Sequence, residues 1–311
     1  MIKLWCGLSS TEWNGTLPQP GYYACISPVK GASKKTRMPT RVNVPVDTLV
    51  LQDSGAFQDS IDTRLTFSEA LERQIEHAEK WAYNVEARVS YDLLIDEVWK
   101  DGQRHKKRWS VQDAEKAVHE TVAAAKFLSE NRHNIEHLVL SVQGVDAKQY
   151  IKCTEQVLDH LDPKRDWLGL GGWCAVGKMP SVMMPVFRDT IRLLIPYLAN
   201  KQVKHVHIFG VLYPYALGEL LWMCDQFEIS LSTDSAGGQL KPCFGDWGYG
   251  DWRDNNYKQA PVDLRSIDRR KHLEQTRRWL YDFRASQYYQ EPKFIQDKIF
   301  STGHKQLAFA I

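Results

Sequence analysis

The stretch Thr48-Leu49-Val50-Leu51-Gln52-Asp53-Ser54-Gly55 contains a pattern that recurs along the chain. An apolar run typical of a buried strand ends abruptly in a carboxylate and a glycine turn. Asp, Ser and Gly are also ordinary turn residues after any strand, so this segment alone is equally compatible with a simple turn. Repetition of the pattern along the chain favours a site at the strand end.

Five further apolar runs end in polar residues or glycine in the same way. They cover residues 89–95 before Asp96, 137–142 before Gln143, 166–170 before Gly171, 203–209 before Gly210 and 229–233 before Asp234. Amphipathic helical stretches separate these runs, at residues 67–84, 111–130, 147–161, 182–198 and 215–226. Additional strands are predicted at residues 3–8, 22–27 and 299–301.

Alternating strands and helices predict parallel strands joined by crossover helices. A length of 311 residues fits an α/β fold of one domain, a (β/α)8 TIM barrel with insertions. An open, doubly wound sheet is the alternative, but no G-x-G-x-x-G or G-x-x-x-x-G-K turn follows the first strand. Because barrel active sites lie at the carboxyl ends of the strands, we expect the strand-end residues to meet there: Asp53, Asp96, Gln143, Gly171, Gly210 and Asp234.

The composition is that of a soluble globular protein, with 43% hydrophobic and 25% charged residues and a formal charge of +2. This charge excludes a strongly basic nucleic-acid binder by bulk composition, although not by local patches. We expect a cytoplasmic protein without membrane partners, because no long apolar run or signal peptide is found. The six cysteines form no C-x-x-C pair, so neither a disulfide framework nor a zinc site is expected.

Three basic clusters are nevertheless visible in the sequence. They contain Lys34, Lys35, Arg37 and Arg41; Arg104, Lys106, Lys107 and Arg108; and Arg269 and Arg270. A charge run is usually a solvated face. Three clusters in one weakly charged chain, two of them near the expected catalytic face, predict contacts with nucleic-acid phosphates.

Carboxylates that converge at one barrel mouth suit glycosyl transfer, because one can attack an anomeric carbon while another group handles the leaving-group proton. The segment His205-Val206-His207 opens an alternative, since H-x-H on a strand is typical of metal-dependent barrel hydrolases and Asp234 could complete a site. Both histidines precede the strand end at Gly210, which favours histidines satisfied within the barrel.

The ordered motifs resemble the tRNA-guanine transglycosylase superfamily, whose members exchange guanine for 7-deazaguanine bases in nucleic acid. Residues 53–58 look like D-S-G-[GA]-F-Q, and Ile95-Asp96-Glu97 looks like F-D-E. Val142-Gln143-Gly144 looks like V-Q-G, and residues 171–177 are similar to G-G-L-A-V-G with one insertion. Phe209-Gly210-Val211 looks like M-G-V, and Thr233-Asp234-Ser235 is similar to F-D-C.

The resemblance implies a (β/α)8 barrel and a role for each matched residue. Asp234 would be the nucleophile that forms a covalent sugar ester, and Asp53 would be the general acid/base. The base pocket would contain Asp96, Gln143, Gly171, Gly172, Ser54, Phe57, Trp173 and Gly210. No cofactor or metal is implied.

Departures from the family favour its DNA-directed branch, found in phages and bacteria. The tRNA enzymes carry a zinc site with several cysteines after the nucleophile, whereas Cys243 is the only cysteine that follows Asp234 in this sequence. Instead, residues 246–311 are aromatic and basic and are predicted to form a helical extension that packs on the barrel. Expected partners are DNA, or alternatively tRNA, and a free 7-deazaguanine base, with helper proteins or a second copy as further possibilities. A phage-encoded protein would act in the host cytoplasm.

A non-catalytic nucleic-acid-binding subunit is a third interpretation, since some superfamily members pair with an active partner. It is disfavoured because both Asp53 and Asp234 are present.

Overall fold

The computed structural model describes residues 1–8, 23–28, 48–56, 64–95, 97–100, 103–106, 110–177, 179–235 and 276–293. For residues 97–100 and 103–106 only the backbone is described.

Eight parallel strands form a closed barrel, which confirms the predicted (β/α)8 architecture. In chain order the strands are β1 (Lys3–Leu8), β2 (Tyr23–Ile26), β3 (Leu49–Gln52), β4 (Asn84–Val89), β5 (Glu97–Lys100), β6 (Gln103–Lys106), β7 (His137–Val142), β8 (Trp167–Leu170), β9 (His205–Ile208) and β10 (Ser230–Ser235). Of these, β5 and β6 form a separate antiparallel ribbon. The barrel closes where β1 pairs with β10, Trp5 lying opposite Asp234. The predicted strand at 299–301 lies outside the described residues.

Five helices in the described part of the chain connect the barrel strands: α1 (Phe67–Trp81), α2 (Val111–Glu130), α3 (Ala147–Leu158), α4 (Pro180–Asn200) and α5 (Pro214–Gln226). Local signals set where they begin. Thr66 and Glu69 form a capping box before α1, and the Ser110 and Asp146 side chains accept backbone N–H groups of α2 and α3. Proline at the first turn of α4 and α5 needs no hydrogen-bond partner there.

One predicted strand is wrong. The apolar run at 89–95 predicts a strand, but β4 covers Asn84–Val89 and residues 90–95 follow it as irregular backbone. Their apolar character has another cause, because Tyr91 and Ile95 are buried in small clusters beside α1 and α2. The β5–β6 ribbon follows before α2 begins.

The barrel has two apolar layers. The outer one packs the strands against the helices and includes Leu138, Leu168, Val206 and Phe187. The inner one fills the barrel and takes its seven buried members from six strands: Trp5, Cys25, Leu51, Ala87, Val89, Val139 and Trp167. Side chains alternate along a strand, so residues two positions beyond an inner residue return to the barrel axis.

Residues 276–293 pack against the barrel wall. Leu280 and Phe283 are buried in the outer layer, and the backbone N–H of Ile2 donates to the carbonyl of Leu280 over 3.2 Å. A methyl group at Gly218 of α5 would lie 1.8 Å from the carbonyl oxygen of Tyr288, so the two segments approach closely only because position 218 is glycine.

Candidate active site

Asp53 lies one residue beyond β3, on the same side as the inner residue Leu51. Its backbone is held from two directions, because its N–H donates to the Ile26 carbonyl over 3.0 Å and its carbonyl accepts from the Gln74 amide at 3.2 Å. Gly55, with φ of 82°, turns the chain so that the N–H groups of Ser54 and Gly55 reach the Asp53 carboxyl. The motif at the end of β3 therefore fixes a carboxyl group at the barrel mouth.

The electrostatic surroundings of Asp53 favour its protonated form. Burial raises the pKa of this carboxyl to about 7, with further contributions from the negative charges of Asp234 and then Asp92. Hydrogen bonds from Ser54 and Gly55 oppose the rise but do not cancel it. A carboxyl group that titrates near neutral pH can both give and take a proton.

Asp234 lies within β10, which extends to Ser235, rather than after the strand end as predicted. Its Oδ1 atom accepts the backbone N–H of Gly210 over 3.0 Å and faces His207 Nε2 at 3.1 Å. Gly210 has φ of 67°, and a methyl group there would lie 2.8 Å from Cys174 Sγ. The donor to Asp234 is therefore positioned by a residue that has to be glycine.

The negative charges of Asp53 and Asp234 both raise the pKa of the buried Cys25 thiol. Cys25 lies in β2, between β1 and β3 in the barrel. Burial raises the pKa of Cys25 well above its usual value, and the charges of Asp234 and then Asp53 raise it further. Asp53 and Asp234 thus both act on the same intervening side chain.

Asp92 is a third carboxyl group at this end of the barrel, and the strand-end pattern of the sequence did not single it out. It is buried, and its backbone N–H donates to the Ser90 carbonyl over 3.1 Å in the turn after β4. Burial raises the pKa of Asp92 to about 6, and the Arg64 guanidinium opposes the rise. Arg64 is held over the Tyr91 ring, 4.3 Å from its centre, and pairs with Glu120 at 3.1 Å.

The sequence pattern assigns this place to Asp96, which lies outside the described residues. That assignment requires a strand ending at residue 95, whereas β4 ends at Val89. Asp92 is only three residues beyond the real strand end. Both Asp92 and Asp96 follow β4 in the sequence. Which of them lies near the strand end depends on where β4 ends, and that is set by its pairing with neighbouring strands.

Gly171 faces Asp92 and Gln143. A methyl group at Gly171 would lie 3.5 Å from Asp92 Oδ2 and 3.6 Å from Gln143 Cβ. The Gly171 N–H donates to the Val142 carbonyl over 2.8 Å, and its carbonyl accepts the Tyr150 hydroxyl at 3.2 Å. The structure therefore brings together two residues expected at the site, Gly171 and Gln143, with the unexpected Asp92.

Gln143 carries an unpaired acceptor in this fully buried position. Its amide nitrogen donates to the Leu93 carbonyl and to Thr121 Oγ1, the latter over 2.6 Å. The Thr121 hydroxyl proton is used at the Ala117 carbonyl, 2.8 Å away, which fixes the orientation of the amide. No donor in the described part of the chain reaches Gln143 Oε1. A buried oxygen without a donor is costly.

The structure also describes three other residues expected in the base pocket, which are Trp173, Gly172 and Ser54. Trp173 is buried in the outer layer, edge-on to Phe187, and its indole N–H donates to the Tyr150 hydroxyl at 3.2 Å. It thus supports Gly171 through Tyr150. Gly172 adopts φ of 82°, and the buried Ser54 hydroxyl accepts the N–H of Ala56 over 3.3 Å within the turn. Phe57 lies outside the described residues.

Most of the predicted phosphate-binding residues also lie outside the described residues: Lys34, Lys35, Arg37, Arg41, Lys107, Arg108, Arg269 and Arg270. Arg104 and Lys106 belong to β6 rather than to the loop that the sequence predicts, and Lys106 pairs with Glu97 in the backbone register. Because the β5–β6 ribbon is inserted between β4 and α2, it leaves the barrel from the carboxyl end of a strand, the same end as Asp53.

The two histidines of the H-x-H segment form hydrogen bonds within the barrel. His207 contacts Asp234 and Ser232, and His205 Nε2 lies 2.7 Å from Ser232 Oγ. Among the described residues, no three His, Cys, Asp or Glu side chains form a group that could hold a metal ion. Within the same residues, no helix is long and apolar enough to cross a membrane.

Fold and site together define a (β/α)8 barrel protein with three carboxyl groups at the carboxyl end of its strands. No protein-family model matches the sequence, and none of the curated proteins matches it either.

Proposed function

We propose that this protein is a base-exchange glycosyltransferase that replaces guanine in nucleic acid with a 7-deazaguanine base. The observation that carries the proposal is the coupling of Asp53 to Asp234, in which Asp53 has a pKa of about 7. Paired carboxyl groups in which one is tuned to exchange a proton are typical of glycosyl-transfer sites.

In the first half of the proposed reaction, Asp234 attacks the anomeric carbon of the target nucleotide. The hydrogen bonds of Gly210 and His207 hold Asp234 Oδ1, and the proposed attacking atom is Oδ2. The bond from the sugar to guanine breaks, Asp53 delivers a proton to the departing purine, and a sugar ester of Asp234 remains.

In the second half, the incoming 7-deazaguanine loses a proton to Asp53, and its nitrogen displaces Asp234 from the sugar. Asp53 is thereby reprotonated and Asp234 released, so the two inversions give net retention. A group with a pKa near 7 serves both directions because neither protonation state is strongly disfavoured at neutral pH.

The base pocket consists of Asp92, Gln143 and Gly171 in this proposal, with Asp92 in the role that the resemblance gives to Asp96. A guanine-like edge presents N–H donors, which match the Asp92 carboxylate and the unpaired Gln143 Oε1. Gly171 lies against this acid, because a methyl group there would lie 3.5 Å from Asp92 Oδ2.

The polymer proposed is DNA in preference to tRNA, on the resemblance to the superfamily and the departures from its tRNA enzymes. The target nucleotide has to leave its stack, at a cost of a few kcal/mol, before its sugar can reach Asp234. Basic residues of β6 and of the other clusters would hold the flanking phosphates.

An isotope-exchange assay tests this function without knowledge of the natural base. Purified protein is incubated with radiolabelled guanine and either duplex DNA, single-stranded DNA or tRNA, and label in the polymer is counted. Label is expected in DNA, and none with Asp234→Asn. Asp189→Asn, which changes an exposed acid on α4, is the matched control. If the wild-type protein incorporates neither guanine nor any 7-deazaguanine into any polymer, the proposed function is wrong.

A further inference from the structure

A chain of polar side chains inside the barrel leads to Asp234. Ser232 and His207 are cross-strand neighbours on β10 and β9. The Ser232 hydroxyl lies 2.9 Å from His207 Nδ1 and 2.7 Å from His205 Nε2, and His207 Nε2 lies 3.1 Å from Asp234 Oδ1. His207 and Ser232 are fully buried, so these contacts are not shared with bulk water.

Only one arrangement of protons satisfies every contact when both imidazoles are neutral. A carboxylate only accepts hydrogen bonds, so His207 Nε2 has to carry its proton toward Asp234. His207 Nδ1 is then an acceptor and takes the single proton of the Ser232 hydroxyl. The Ser232 oxygen in turn accepts from His205 Nε2, which gives the chain one direction, from His205 to Asp234.

We propose that His205, Ser232 and His207 form a positioning relay that holds His207 in its Nε2–H tautomer. In this tautomer His207 and Gly210 both donate to Asp234 Oδ1, which fixes the plane of the carboxylate and turns Oδ2 toward the sugar. This role rests on the proposed function, in which Asp234 is the nucleophile. His207 is thus a positioning residue, and Ser232 acts on Asp234 only through it.

Simple packing is the competing explanation, because both rings contact aromatic neighbours. His205 stacks on Trp167 with ring centres 4.2 Å apart, and His207 meets Phe209 edge-on at 4.8 Å. A phenyl ring at position 207 would retain most of this packing while losing both nitrogens. His207→Phe therefore separates packing from hydrogen bonding.

The tautomer can be measured without turnover. In protein with ¹⁵N-labelled histidine, long-range ¹H–¹⁵N spectra distinguish Nε2–H from Nδ1–H imidazoles, and His207→Phe assigns the His207 signal by its absence. We expect the Nε2–H form in the wild type and a mixture of tautomers in Ser232→Ala. Ser230→Ala, which changes an exposed serine on the same strand, is expected to leave the signal unchanged. An Nδ1–H tautomer in the wild type, or no change in Ser232→Ala, would overturn the relay.

Kinetics test the positioning role. The rate of covalent intermediate formation is expected to fall about 10- to 100-fold in His207→Phe and about 3- to 10-fold in Ser232→Ala, with KM for the base little changed. His207→Gln keeps an N–H donor and should recover part of the rate. In that background Ser232→Ala should have no further effect, because the imidazole it orients is gone.

Three results would contradict the positioning role: full activity of His207→Phe, additive losses when His207→Gln and Ser232→Ala are combined, or losses confined to KM. Failure of the relay and failure of the proposed function are separable. If the wild-type protein exchanges no base, the function is wrong while the tautomer measurement still decides whether the relay exists.

Discussion

Asp53 and Asp234 share the mouth of the barrel, where burial and then the negative charge of Asp234 raise the pKa of Asp53 to about 7. The pKa of Asp53 therefore lies near neutral pH, and the neighbouring Asp234 accepts two hydrogen bonds at Oδ1. Asp53 follows β3 and Asp234 lies near the end of β10, and because these strands are far apart in sequence, the two residues interact only in the closed barrel.

The rate of covalent intermediate formation should fall as pH rises through about 7, since this step requires protonated Asp53. Trapped protein–nucleic acid adduct, counted after a short reaction at a series of pH values on both sides of neutrality, measures the profile. Asp53→Asn should lower the rate at least about 100-fold and flatten the profile. An Asp53→Asn variant that kept the titration near neutral pH would assign the proton to another group.

Asp53→Asn should stabilise the folded protein at mildly alkaline pH. The pKa of Asp53 is about 7 in the folded state against its usual 3.8, so the folded state binds more protons between these values and wild-type stability falls as pH rises. A neutral amide removes this cost. We expect a gain of about 1 to 3 kcal/mol in the free energy of unfolding at about pH 8, measured by urea denaturation. The gain in stability should vanish once the pH is below both pKa values of Asp53. A less stable Asp53→Asn variant at alkaline pH would contradict the raised pKa of Asp53.

Asp92 and Asp96 can be compared directly as the acid that recognises the base. Asp92→Asn should raise KM for the free base about 10-fold or more at about pH 8, because a buried carboxylate next to Gly171 would be lost. Asp96→Asn should change KM less than about threefold. Both variants are measured by isotope exchange at several base concentrations. The reverse ranking would restore Asp96 as the recognition residue.

Gly210→Ala should disturb Asp234 through the backbone N–H that donates to it. Alanine at φ of 67° is strained, and its methyl group would lie 2.8 Å from Cys174 Sγ, so the Gly210 N–H has to move away from Asp234 Oδ1. We expect a loss of about 1 to 2 kcal/mol in stability and about 10-fold or more in intermediate formation. Combining it with Cys174→Ala should recover part of the stability, and Cys174→Ala alone is the control. Unchanged kinetics in Gly210→Ala would show that this donor is not needed.

Neutralising the basic residues of β6 and the following segment should weaken binding to DNA. Replacing Arg104, Lys106, Lys107 and Arg108 with glutamine is expected to reduce the slope of log K against log salt by about 0.9 for each phosphate that the protein no longer neutralises. Fluorescence anisotropy on duplex DNA at several salt concentrations measures the slope. Lys116→Gln and Lys126→Gln, on the exposed surface of α2, are the matched controls. Equal slopes for this variant and the wild type would show that DNA does not bind at these basic residues.

Local sequence signals predicted most of the fold. The starts of α1, α2 and α3 follow capping residues, and the predicted bounds of β7 are those observed, because a run of buried valine and leucine residues before Gln143 is a local pattern. The strand prediction at 89–95 is wrong because buried loop residues such as Tyr91 and Ile95 are as apolar as strand residues. An apolar run in the sequence indicates which residues are buried, whereas a strand is defined by its hydrogen bonds to neighbouring strands.

The sequence alone predicted parallel strands with acids, amides or glycines at or near their carboxyl ends. Three features could be seen only in the closed barrel: Asp92 lies beside Gly171, Asp53 has a raised pKa, and His207 contacts both Asp234 and Ser232. The reason is physical: strand-end polarity is encoded within a few neighbouring residues. Burial, charge coupling and hydrogen-bond partners depend on how strands that are distant in sequence are paired and closed into the barrel.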